Sequence, residues 1–207
     1  MNKLHLFLER LSVLEYAKNS LSKKTHDKKV ESLLIKSEFK KIISNKKISK
    51  NEFEILCIEK TKEFNNNVSY FIRERNGSHN FPDFTIYSNK HCFDLECKSN
   101  SSKNGFKAMW NCTFPKSDAI YLISNKTNSI LLNGDEITTL ELEKINELYE
   151  KILINTSNEC NNLYNLLTTE KNPYKMKVYQ RKMYTQHKHL DINKKNEYLQ
   201  NILLKYN

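Results

Sequence analysis

Pro82-Asp83 and, further on, Glu96-Cys97-Lys98 supply two carboxylates and one ammonium in a pattern suited to phosphodiester hydrolysis. Asp83, Glu96 and the backbone carbonyl of Cys97 are hard oxygen donors of the kind Mg²⁺ takes. That ion keeps several waters and reaches its substrates through phosphate oxygens. Held there, it would activate a water and neutralise the charge that builds on phosphorus. Lys98, a compact cation on a flexible stem, could orient that water, favour its deprotonated form or touch the scissile phosphate.

These groups meet only if the chain between them folds as a hairpin. Residues Asp83-Phe84-Thr85-Ile86-Tyr87-Ser88 alternate apolar and polar, and His91-Cys92-Phe93-Asp94-Leu95-Glu96-Cys97-Lys98 alternate again. With Asn89-Lys90 as a two-residue turn, Ser88 pairs with His91. The same register carried back sets Asp83 opposite Glu96. Cross-strand partners hold their Cβ atoms about 4.5 to 5.5 Å apart, close enough for two carboxylates to share one cation. Period two also puts Asp94, Glu96 and Lys98 on one face, lining a cleft, and Phe93, Leu95 and Cys97 on the other, facing a core. The turn is the exposed point of the reading. Asn-Lys lacks the glycine that most favours a type I′ loop, and a slip of one residue would separate the acids.

Acid-x-Lys also occurs at Asp27-Lys28-Lys29 and Glu38-Phe39-Lys40, in polar or helical stretches, so the tripeptide alone is weak. Glu96 differs because it is phased on a strand behind the chain's one Pro-Asp dipeptide. The bland alternative is a solvated structural hairpin. With Phe81-Pro82-Asp83-Phe84, Leu95-Glu96-Cys97-Lys98-Ser99, Trp110-Asn111-Cys112-Thr113-Phe114-Pro115 and Asp118-Ala119-Ile120-Tyr121-Leu122-Ile123, the stretch from Asn76 to Ser124 resembles the PD-(D/E)XK nuclease superfamily, most of all its type II restriction endonucleases. The resemblance implies a mixed sheet flanked by helices, Mg²⁺-dependent cleavage of double-stranded DNA and a homodimer. It carries Asp83 and Glu96 over as metal ligands and Lys98 as the catalytic lysine. It also implies a further glutamate from a helix ahead of the hairpin. Ser49 to Leu56 resembles the start of that helix, with Glu54 the best positional match and Glu59 and Glu63 its rivals.

A chain of 207 residues with net charge +10 reads as one soluble domain drawn to polyanions. Abundant Lys and Asn beside only four arginines is also what an AT-rich genome writes, so the charge supports a nucleic-acid partner only in part. The five cysteines hold no C-x-x-C pair and read as thiols of a reducing cytosol, and His187-Lys188-His189 lacks partners at zinc spacing. No apolar run approaches the roughly 20 residues that cross a bilayer, and the N-terminus lacks the features of a signal peptide. The expectation is an intracellular, cytoplasmic protein of bacterial or phage origin, with no membrane partner.

The positioning elements follow in order. Leu4, Phe7, Leu8, Leu11 and Leu14 mark a helix to about Lys18. Ser20 to Lys29 reads as a basic connector, and Val30 to Ile43 as a second helix with Leu33, Leu34 and Ile42 inward. Lys40, Lys41, Lys46, Lys47 and Lys50 form a solvated or phosphate-touching run. A third helix spans about Lys50 to Phe64, and Val68 to Arg73 reads as the first strand. In the loop before the motif, Ser78, His79 and Asn80 are candidate phosphate or base contacts. Lys103, Lys107 and Asn111 are candidates after it, beyond a small polar loop from Ser99 to Asn104. Trp110 and Phe114 read as core.

Asp118 to Ser124 and Ser129 to Leu132 form the next strand pair. Thr138-x-x-Glu141 caps a helix to about Ile154, and Cys160 to Leu167 reads as another helix. Met176 to Thr185 alternates as a strand, and a final helix runs from Asn193 to Tyr206. Gln180, Arg181, Gln186 and His187 have the side chains that read base edges, although an ordinary edge strand blunted by lysines fits as well. The expected fold is α/β (α+β), a restriction-endonuclease-like central mixed sheet of about five strands flanked by helices, in a single nuclease domain over 1–207. Residues 1–48 form its helical N-terminal part, 50–135 the catalytic core, and 136–207 the helices with the DNA-reading strand. A repair, junction or phage nuclease of the same superfamily, or a non-catalytic DNA-binding protein, are the alternatives to a site-specific restriction enzyme.

Overall fold

In the computed structural model the described residues are 2–14, 23–64, 68–78, 80–99, 106, 108–111, 113–125, 128–178, 183–185 and 189–207. Their elements are α1 (Lys3–Ser12), α2 (Lys23–Lys36), β1 (Lys40–Lys41), α3 (Lys50–Phe64), β2 (Tyr70–Arg73), β3 (Phe84–Ser88), β4 (His91–Ser99), β5 (Met109–Asn111), β6 (Ile120–Ser124), β7 (Ser129–Asn133), α4 (Leu140–Asn165), β8 (Met183–Thr185) and α5 (Lys195–Lys205).

The main sheet is mixed and has six strands in the order β1-β2-β3-β4-β6-β7. β1 and β2 run parallel, as do β4 and β6, while the other neighbours are antiparallel. The sixth strand is β1, which the sequence reading had inside a helix. That helix ends early because Glu38 takes a positive φ of 62°. The Glu38 amide then donates to Ile35 O at 2.9 Å and the Phe39 amide to Leu34 O at 3.0 Å, the two bonds of a Schellman stop. No glycine marks it. The expected connector from Ser20 to Lys29 is corrected at its other end, since α2 already begins at Lys23 and buries His26 and Asp27. α3, by contrast, spans the expected residues. Its Ser49-x-x-Glu52 capping box has the Ser49 amide donating to Glu52 at 2.6 Å and the Glu52 amide donating to Ser49 Oγ at 3.2 Å.

The sheet's two faces are covered differently. On one, Leu4, Phe7, Leu8 and Leu11 of α1, Val30 and Leu34 of α2 and Ile202 of α5 pack on Phe71, Phe84, Ile86, Phe93, Leu95, Ile120, Leu122 and Leu131. On the other, Phe53 and Cys57 of α3 cover Tyr70, Ile72 and Tyr87. Beyond them, Phe106, Ala108 and Trp110 pack with Tyr121, Ile123, Ile130 and Leu132. The middle of that second face is polar, and it belongs to β3 and β4.

Two more expectations are corrected near the C-terminus. Thr139, not Thr138, caps α4 by accepting from the Leu142 amide, and one helix of 26 residues replaces the expected pair. The strand expected over Met176 to Thr185 is corrected at its start, since Met176 to Val178 are not strand; 179–182 lie outside the described residues, and the strand is present at β8. It pairs with β5 in a separate two-stranded sheet, through Met109↔Thr185, Trp110↔Tyr184 and Asn111↔Met183. Among the described residues no helix is long and apolar enough to cross a membrane.

Candidate active site

The hairpin has the expected register: Ser88↔His91, Tyr87↔Cys92, Ile86↔Phe93, Thr85↔Asp94 and Phe84↔Leu95. Its turn works without glycine because Asn89 and Lys90 both take positive φ, at 50° and 66°, as a type I′ loop requires. Asp83, the residue before β3, is therefore next in line with Glu96. The Asp83 amide donates to Glu96 Oε2 at 3.1 Å, and the Cys97 amide donates to Asp83 Oδ2 at 2.8 Å. Both carboxylates are buried, 3% and 4% exposed. Asp83 is also tied from behind, its carbonyl accepting from the Glu74 amide at 2.8 Å.

Lys98 completes the group. Its Nζ lies 2.6 Å from Glu96 Oε1 and 5.5 Å from the centroid of the Trp110 ring. Trp110 itself stands edge-on to Tyr121, centroids 5.1 Å apart. The ammonium is thus held between a carboxylate and an aromatic face. β3 has ended by this level, and a strand residue's N–H and C=O leave on the same side. The Cys97 carbonyl therefore turns toward Asp83, as its amide does. Two carboxylates and a carbonyl, all hard oxygens, fit Mg²⁺ better than a softer metal.

Asp94 shares the face but not the task expected of it. Arg75 Nη2 reaches Asp94 Oδ2 at 3.0 Å, Arg75 Nε donates to Thr85 Oγ1 at 2.8 Å, and Thr85 Oγ1 donates to Asp94 Oδ1 at 2.6 Å. Asp94 thus lines no open cleft. It anchors the loop that delivers Asp83, through an arginine that the sequence reading left in a polar loop. Asn76 extends the anchor by donating to Phe81 O at 2.7 Å. An arginine two residues past a strand gives no signal of such a partner.

Glu54 is half-buried on α3, and its charge is felt by Cys57, Tyr87 and Cys92. That is the turn end of the hairpin. Cys92 stands four residues from Glu96, about 13 Å along the strand. Ser78 and Asn80 are exposed near the loop's tip, with Asn80 Nδ2 donating to Asn76 O at 3.1 Å. Asn111 lies on β5 beside Trp110, with its side chain outside the described set. His79, Lys103, Lys107, Gln180, Arg181, Gln186 and His187 lie outside the described residues. Still, β8 sits against β5, so the segment expected to read DNA has its described strand next to the tryptophan under Lys98.

Behind β4, the ligand-type atoms of His26, Asp27 and Cys97 lie within 4.8 Å of one another. His26 and Asp27 were assigned to a connector, so sequence reasoning missed this group. Its members face other residues of the chain. His26 Nε2 is hydrogen bonded to Ser124 Oγ at 3.0 Å, and Arg73 Nη2 is 3.4 Å from Asp27 Oδ2. Burial, then the Lys29 ammonium, pulls the His26 imidazole down to about 4. Burial, then the Asp83 carboxylate, holds the Cys97 thiol well above its ordinary range. A neutral imidazole and a protonated thiol make this a structural polar cluster under β4.

No protein-family model matches the chain, and no curated protein and no solved structure matches it. The PD-(D/E)XK reading therefore rests on the hairpin's residues, their register and the mixed sheet.

Proposed function

We propose that this protein is a Mg²⁺-dependent endonuclease that hydrolyses phosphodiester bonds of double-stranded DNA, acting as a homodimer in the manner of type II restriction enzymes. One observation carries the reading: Asp83 and Glu96 face each other at the end of the hairpin, with the Lys98 ammonium 2.6 Å from Glu96. Two carboxylates meeting beside a lysine form an oxygen-rich group of the kind a divalent cation and its phosphate take.

Asp83, Glu96 and the Cys97 carbonyl would hold the cation, which supplies Lewis-acid stabilisation of the phosphate and a more acidic water. The chain's own residues do the rest. The Cys97 amide fixes Asp83, and the Asp83 amide fixes Glu96, so neither acid can swing away. Lys98, held over Trp110, keeps a positive charge where negative charge develops on phosphorus and can donate to a phosphate oxygen or to the attacking water. The net charge of +10 draws the duplex in without reading it.

The test is cleavage of supercoiled plasmid. Wild-type protein should nick or cut it with Mg²⁺ and not with EDTA, and Lys98→Ala should slow the reaction by about 10²- to 10³-fold. Cleavage by Lys98→Ala at the wild-type rate, or no cleavage by the wild type under any divalent cation, would reject the enzyme.

A further inference from the structure

α4 is the helix that the core does not explain. It touches the body along one line, where Glu143 Oε1 accepts from the Ser117 amide at 2.6 Å, Glu150 Oε1 accepts from Tyr184 OH at 2.7 Å, and Asn161 Oδ1 accepts from the Val178 amide at 3.0 Å. Those contacts are polar. The apolar residues point elsewhere: Leu142, Ile145, Tyr149, Ile152, Leu163 and Leu166 are between 47% and 81% exposed.

Their spacing is regular. Leu142, Ile145, Tyr149, Ile152, Thr156, Glu159, Leu163 and Leu166 follow one another at alternating intervals of three and four residues, the heptad seam of a coiled coil. The seam is also its own complement when reversed. Turned end for end about residue 154, it sets Leu142 against Leu166, Ile145 against Leu163, Tyr149 against Glu159 and Ile152 against Thr156. Each layer then pairs an a position with a d position, as antiparallel helices require. A parallel pair would instead oppose Glu159 with its own copy inside the seam, a like-charge contact that desolvation makes worse. Reversal gives Glu159 the Tyr149 hydroxyl instead.

The area is sufficient. A large aliphatic side chain removes roughly 60 to 120 Å² from water on burial. The six apolar seam residues, flanked by the exposed Leu148 and Leu167, are 42% to 81% exposed, so what remains to bury is roughly 300 to 600 Å² of apolar area per copy, comparable with the apolar part, about 450 to 520 Å², of a standard share of about 800 Å². We infer that α4 is the dimerisation helix of this protein, and that two copies pair through it antiparallel about a two-fold axis near residue 154. This goes beyond the nuclease reading in naming the surface, and it does not depend on DNA or metal.

Sedimentation equilibrium of the purified chain, without DNA or divalent cation, reads it directly. The wild type should sediment at twice its chain mass. Ile152→Asp and, independently, Leu163→Asp should weaken the dimer at least about 100-fold while leaving the circular dichroism unchanged, because both sites are exposed. In a Cys160→Ser background, mild oxidation should link a mixture of Ile152→Cys and Thr156→Cys chains and link neither variant alone. A monomeric wild type, dimers that survive both aspartates, a mixture that fails to link, or self-linking of Ile152→Cys would each overturn the proposal. Plasmid cleavage by a protein that sediments as a monomer would leave the nuclease standing and this pairing rejected.

Discussion

The two faces of β4 share one backbone and do opposite things. Phe93, Leu95 and Cys97 point into a core closed by α1, α2 and α5, where Leu95 is fully buried. Asp94, Glu96 and Lys98 point the other way, into the polar gap between the α3 cluster and the Trp110 cluster. Both faces are buried, but only one is apolar. The first is stabilised by removing area from water. The second is held by hydrogen bonds between charged groups, and it keeps charges where a phosphate and a cation could use them. Stability and chemistry are thus separated by alternation alone, so substitutions on the two faces should fail in different ways.

The sharpest break is on the polar face. Asp83→Asn and Glu96→Gln keep shape and hydrogen bonding but remove the charge a cation needs. Each should reduce plasmid cleavage by about 10³-fold or more and shift the melting temperature by only a few degrees. A melting curve that collapses along with activity would mean the polar face is structural after all. On the apolar face the effects should reverse. Leu95→Ala removes a fully buried side chain between two sheet neighbours and should cost about 4 kcal/mol in urea unfolding, while the folded fraction still cleaves.

Acid distinguishes the faces next. His26 lies behind β4 with its imidazole pulled from 6.5 to about 4, first by burial and then by Lys29. The folded protein thus binds that proton more weakly than the unfolded chain does. The stability this contributes is complete above the unfolded value of 6.5 and is lost as pH falls toward 4. The loss amounts to roughly 3 kcal/mol by pH 4. Urea midpoints measured down this range should fall for the wild type and flatten in His26→Gln. An equal fall in both would clear the histidine.

How far the chain could be read follows the same division. The hairpin was legible because period-two alternation fixes both face and register, and Asn89-Lys90 was the only break between the two alternating runs. α3 was legible from its polar start at Ser49 to Glu52 and from the resemblance of Ser49 to Leu56 to a helix start. The ends of α2 were not, because a Schellman stop at a glutamate leaves no mark in composition, and His26-Asp27 in a run of lysines looks like a connector. The Arg75-Thr85-Asp94 anchor was invisible for another reason. Its members belong to different elements, and only the folded sheet brings them together. α4 read as two helices because Thr156, Ser157 and Asn158 interrupt its apolar pattern, although polar side chains there leave the backbone helical.

The smallest test bears on the turn from which all of this is counted. Asn89 and Lys90 both sit at positive φ, a region that costs an L-residue roughly 1 to 2 kcal/mol. Lys90→Gly removes that strain at one position. It also gives the unfolded chain more freedom, which offsets about 0.4 to 1 kcal/mol of the gain. The net should be a stabilisation of about 0.5 to 1 kcal/mol, read as a higher urea midpoint with cleavage unchanged, since Asp83 and Glu96 lie at the far end of the strands. Lys90→Val should act oppositely, because a β-branched residue at that φ is strained further. If glycine destabilises, or if valine is neutral, the turn is not what holds Asp83 opposite Glu96, and the register would have to come from the apolar face of β4 alone.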